Sequence, residues 1–161
     1  MKTFFARAFV VAVTAVLFYV TSWGAFAQTR AYRATDRQVN NVLTSLERNS
    51  DSFRNTITAA LDRSSFNNTR TEDEIVDYIN DFEDATDNLK RNFAGRSSVA
   101  GDVTDVINRA ANINRFLQQY RLGAAVNTSF ARIRTDLNTL ASYYNVSANL
   151  DQPVSNYPNN N

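Results

Sequence analysis

The chain has 161 residues, with 17 Lys+Arg against 16 Asp+Glu, no cysteine and no histidine. That composition excludes disulfide support, thiolate nucleophiles, imidazole bases, the usual zinc sites and haem ligation through Cys or His. The near-neutral charge supplies no broad pull on nucleic acid, so no nucleic-acid partner is expected.

Residues 1–27 have the layout of a secretory signal peptide. Lys2 and Arg7 form its positive start, and "AFVVAVTAVLFYV" its apolar centre. Small residues at Ala25 and Ala27 mark a cleavage site between Ala27 and Gln28. The competing reading is an uncleaved anchor, since the stretch from Ala8 to Ala27 approaches the ~20 residues that span a bilayer, with Tyr19 and Trp23 placed for an interface. The small-residue motif lies at the right distance from the apolar centre and favours cleavage. An exported protein, periplasmic or extracellular, is therefore expected. Membrane contact would come only through an uncleaved leader.

After a polar segment at 28–34, apolar residues recur at alternating spacings of three and four. From Thr35 to about Ser64 they are Val39, Val42, Leu43, Leu46, Phe53, Ile57, Ala60 and Leu61, one stripe of a helix. Thr35 and Gln38 have capping-box spacing. A polar gap at Asn49–Ser50 interrupts the stripe and is where a groove or buried water is expected. "SSFNNTR" breaks the pattern, with Asn67 and Asn68 suited to left-handed backbone. Thr71 with Glu74 suggests a second capping box. The next stripe is Ile75, Tyr78, Ile79, Phe82, Ala85, Leu89 and Phe93, stopped by Gly95. Ser97 or Ser98 is expected to open a third helix that ends at Gly123, and Asn127 or Thr128 a fourth that ends near Asn145. Residues 146–161, rich in Asn and holding both prolines, read as a polar, disordered tail.

These elements predict an all-α protein: an antiparallel up-down-up-down four-helix bundle over residues 35–145, packed in coiled-coil fashion. A weak repeat accompanies it. "VNNVLTSLERNSDSFRNTI" lies over "IVDYINDFEDATDNLKRNF", so that Glu47, Asp51 and Arg54 match Glu83, Asp87 and Lys90.

The stretch Thr71–Phe93 is the most acidic of the chain. Asp73, Asp77, Asp81 and Asp84 share one side of the second helix, which raises the question of a divalent-cation surface. Carboxylates along one straight helix do not converge on an ion. The Ca²⁺-loop pattern is absent, and acids early with Lys90, Arg91 and Arg96 late is the order the helix dipole favours. A solvated face is the expected role, and no metal ligands and no cofactor are assigned. A di-metal bundle site is also unexpected, because it needs Glu-x-x-His pairs. Asp87–Arg91, Asp105–Arg109 and Asp136–Arg132 are expected as pairs one helical turn apart. Tyr144 should close the core, with Tyr143 at its rim. The sequons at Asn67, Asn127 and Asn145 lie at helix ends, where Asn, Ser and Thr are ordinary cap residues.

The segments "RQVNNVLTSLERNSDSFRNTI", "DEIVDYINDFEDATDNLKRNF", "VAGDVTDVINRAANINRFL" and "DLNTLASYYNV", in this order, resemble a group of small exported bacterial helical proteins of unknown function. The resemblance implies a bacterial origin and placement outside the cytoplasm. It transfers no site residues. The functional expectation is a non-enzymatic exported bundle that acts as a binding or structural module of the cell envelope, through a protein partner or self-association. A chaperone-like or stress-type helical protein and a weak divalent-cation binder are the alternatives.

Overall fold

A computed structural model describes residue 31 and residues 33–151. The proposed leader, the cleavage site at Ala27 and Gln28, and the last ten residues of the tail lie outside the described residues. The chain forms α1 (Asp36–Leu61), α2 (Arg70–Ala94), α3 (Ala100–Gln119) and α4 (Ala124–Tyr144), and the described residues contain no strand. No described helix is long and apolar enough to cross a membrane.

Cross-helix contacts fix the direction of each neighbour. Arg54 meets Glu83 while Glu47 meets Lys90, so α1 and α2 run antiparallel. Asn49 meets Asp136 and Phe53 meets Phe130, so α4 opposes α1. Asp81 meets Arg109 and Asn92 meets Asp102, so α3 opposes α2. The result is an up-down-up-down four-helix bundle. Its four seams are unequal: α1 lies close against α4 and α2 close against α3, whereas the seams α1–α2 and α3–α4 are wider.

The predicted stripes become the core. Leu43, Leu46, Phe53, Ile57, Ile75, Phe82, Leu89, Ile113, Ile133 and Leu137 are fully buried. Each such side chain contributes roughly 1.5–3 kcal/mol relative to exposure. The rings of Phe53 and Phe130 meet at 5.4 Å across the α1–α4 seam. At the loop end, Phe66 and Tyr120 meet edge to face at 5.2 Å, and Tyr120 packs on Phe116 at 4.6 Å. This aromatic stack ties the α1–α2 loop to the end of α3.

Helix ends divide into those that side-chain chemistry decides and those that packing decides. Thr35 and Gln38 form the expected capping box, with the Thr35 N–H donating to Gln38 Oε1 at 2.9 Å. The Thr71–Glu74 box does not form. The α2 helix begins at Arg70 behind Thr69, whose hydroxyl donates to the Phe66 carbonyl at 2.6 Å and so caps nothing. Asn68 takes the left-handed conformation (φ 58°), and its N–H donates to Glu72 Oε2 at 2.6 Å. Neither Ser97 nor Ser98 opens α3. Val99 holds that position with its side chain buried, and packing overrides capping. That helix stops at Gln119, short of Gly123, because Tyr120 turns into the aromatic stack. Gly123, at φ 104°, instead starts α4, which therefore begins before Asn127 and Thr128.

The chain beyond Asn145 departs most from expectation. Asn145 is left-handed (φ 54°), and the Val146 N–H returns to the Ala141 carbonyl at 3.0 Å. Residues 146–149 then run as an open strap that closes in a turn at Leu150–Asp151, in place of the disordered start of a tail. Val146 and Ala148 are half-buried and Leu150 is 3% exposed, while Ser147, Asn149 and Asp151 face water. That alternation is the period of an extended chain with one face on a core.

Candidate functional site: an acidic groove between α1 and α2

Glu47, Ser50 and Asp51 occupy positions i, i+3 and i+4 of α1 and therefore one face of it. Glu83, Thr86 and Asp87 do the same on α2. The two triplets face each other across the wider seam and line a groove of about 220 Å³. Ser50 and Thr86 are each 4% exposed and form its floor. Their hydroxyls turn back to their own helices: Ser50 Oγ donates to the Leu46 carbonyl at 2.7 Å, Thr86 Oγ1 to the Phe82 carbonyl at 2.9 Å. Both side chains are small and internally satisfied. Neither reaches across the seam, and the space between them stays open.

The charges above the floor are paired reciprocally. The Arg54 guanidinium grips Glu83 with both edges, its Nε donating to Oε1 at 2.7 Å, and its Nη2 also reaches Asn80 Oδ1 at 2.7 Å. Lys90 Nζ donates to Glu47 Oε2. The weak repeat therefore has a spatial meaning. The match extends to Ser50 and Thr86, and each copy's cation holds the other copy's glutamate about an approximate two-fold axis. The hydrogen bond to Glu83 raises the Arg54 pKa above the usual arginine value; partial burial opposes this, and the charges of Glu83 and Asp51 add to it. Four carboxylates share two cations here, so the groove carries net negative charge.

The polar gap predicted at Asn49–Ser50 serves two neighbours. Ser50 lines the groove, while Asn49 turns to α4 and donates to Asp136 Oδ2 at 2.6 Å. That bond engages Asp136 across helices, in place of the expected partnership with Arg132. The expected Asp87–Arg91 pair is also absent from the ion pairs, and Arg91 donates to Asn88 instead. Arg109 does meet Asp105, at 3.3 Å, and extends to Asp81 of α2 at 3.0 Å.

The acids that stood out in the sequence separate in space. Asp73, Asp77, Asp81 and Asp84 are exposed on α2, and Asp81 pairs with Arg109. Glu83 and Asp87 face α1. No group of three or more Asp or Glu among the described residues is arranged to hold a metal ion. Tyr144 is buried and Tyr143 half-buried, as expected of a core-closing pair. Burial pushes the Tyr144 phenol up to about 12, with the nearby Asp36 charge adding to the shift. No protein-family model, curated protein or solved structure matches the chain.

Proposed function

We propose that the protein is a non-enzymatic, exported helical bundle that acts as a binding or structural module of the cell envelope. The reciprocal pairing in the α1–α2 groove supports this reading. The groove's cations are committed to joining two helices, and its hydroxyls to their own backbone. An acyl-transfer or hydrolytic site would instead aim an activated nucleophile and a base at one point. Export rests on the leader and its Ala27–Gln28 junction.

The test is to produce the full chain with a C-terminal tag in a bacterial host, then determine its compartment and its N-terminal residue by mass spectrometry. Cross-linking in intact cells follows. An N-terminus at Gln28, an envelope fraction and a discrete cross-linked species, either one partner or a second copy, support the reading. An intact leader on a cytoplasmic protein overturns export. Cross-linking to many unrelated polypeptides would favour the chaperone-like alternative, and a calcium-dependent rise in melting temperature the cation-binding one.

A further inference from the structure

We infer that the face of α3 around Asn114 and Gln118 is a docking groove for a segment of the form apolar-x-small-x-apolar-acid whose last two residues turn, and that residues 146–151 of a second copy of this chain are its exchange partner. The inference rests on the reading of the chain as a module that acts through contacts. It adds the surface and the occupant.

The groove already displays its specificity, because the chain's own strap sits in it. Asn114 is a polar residue on a core-facing stretch of α3, 4% exposed. Both donors of its amide nitrogen go to the strap: Nδ2 donates to the Leu150 carbonyl at 3.2 Å and to Asp151 Oδ1 at 3.0 Å. Gln118 Nε2 adds a second donor to Asp151 Oδ1 at 3.2 Å. A side-chain amide that reads a backbone carbonyl engages the main chain whatever side chain that residue carries. The buried Leu150 supplies an apolar anchor, and the two amides on Asp151 select an acid beside it.

The attachment is also built to be exchangeable. Beyond the turn at Val146, no backbone–backbone hydrogen bond ties the strap down among the described residues. The strap leaves α4 through one left-handed residue, Asn145, so rotation at a single position swings it out. A second copy presents the same six residues on the same hinge, and its strap satisfies the same amides. Reciprocal exchange of an identical element closes as a two-fold dimer without any new contact chemistry.

The test uses two full-length variants with complementary defects. Leu150→Asp destroys the strap and leaves the groove intact. Asn114→Asp with Gln118→Glu replaces the groove's donors by carboxylates that repel Asp151, and leaves the strap intact. Circular dichroism confirms that both are folded; if Leu150→Asp loses helix, Leu150→Ala takes its place, and if the Asn114→Asp variant does, Asn114→Ala with Gln118→Ala takes its place. Light scattering and native mass spectrometry are expected to find each variant monomeric alone and a one-to-one complex on mixing, since only the mixture pairs a working strap with a working groove. A mixture that stays monomeric at high concentration overturns strap exchange. That failure leaves the envelope-module proposal standing, because that proposal is tested by localisation and cross-linking in cells.

Discussion

The two wider seams of the bundle, α1–α2 and α3–α4, pose the same packing problem and meet it differently. At the α1–α2 seam the gap stays open over Ser50 and Thr86, and ion pairs span it from above. Next to the α3–α4 seam, the chain doubles back from the end of α4 to Asn114 of α3 and adds a buried leucine. The first arrangement depends on partly exposed charges, with Arg54 and Glu83 side chains 33% and 29% exposed. The second depends on apolar burial and satisfied amides. Burial of a leucine outweighs an exposed ion pair by a factor of a few, so the strap is the stronger tie and the groove the weaker.

The largest expected effect comes from a residue that serves the whole bundle. Phe82→Ala should destabilise by about 3–5 kcal/mol, read from urea unfolding, and sets the scale for changes at either seam. Next comes the strap. Leu150→Ala should cost about 2 kcal/mol, at the bottom of the usual core range, because the strap can undock and leave no enclosed cavity. A cost equal to that of Phe82→Ala would mean that the strap and the bundle unfold as one unit.

Tyr144, at the end of α4, gives a pH signature. Below pH 10 the phenol is protonated in both states and contributes no pH dependence. Between pH 10, its ordinary value, and about 12, its folded value, only the unfolded chain ionises. Stability should therefore fall as pH rises through that window, by up to about 2 kcal/mol. Tyr144→Phe should flatten that part of a melting curve series against pH.

The smallest effect belongs to the groove. Arg54→Ala and Glu83→Ala in a double-mutant cycle should show a coupling of about 0.2–1 kcal/mol that shrinks in high salt. The charge-swapped pair Arg54→Glu with Glu83→Arg should recover most of it. A coupling larger than the cost of Leu150→Ala would reverse the ranking of the two seams.

The apolar spacing carried most of this fold, because a stripe of period 3.6 has only one way to be buried. Val39, Leu43, Leu46, Phe53, Ile57 and Leu61, with Ile75, Ile79, Phe82, Ala85 and Leu89, met the core as their spacing required, while Val42, Ala60, Tyr78 and Phe93 lie half-buried at its edge. The starts of α3 and α4 were not legible as serine or asparagine caps, since Val99 and Gly123 act there through burial and backbone geometry. The strap did leave a signal. Val146, Ala148 and Leu150 alternate with polar residues, but the prolines and asparagines beyond them dominate the composition of the tail. Pairing was legible only within a helix. Spacing reveals a partner one turn away, as for Asp105 and Arg109, but Asp136 and Glu47 found partners on neighbouring helices, which linear spacing does not encode.

The close α1–α4 pairing has a mechanical consequence. These are the first and last helices of the bundle, they run antiparallel, and their outer ends, at Asp36 and Tyr144, lie at the same end of the molecule. A pull applied through the two chain termini would load that seam as a zipper, parting one layer of side chains at a time instead of shearing the whole length at once. The strap lies in the line of that force, so Leu150 would leave its seat before the first core layer opened. Tethers at both termini would thus convert tension into exposure of the Asn114 groove while the four helices were still folded.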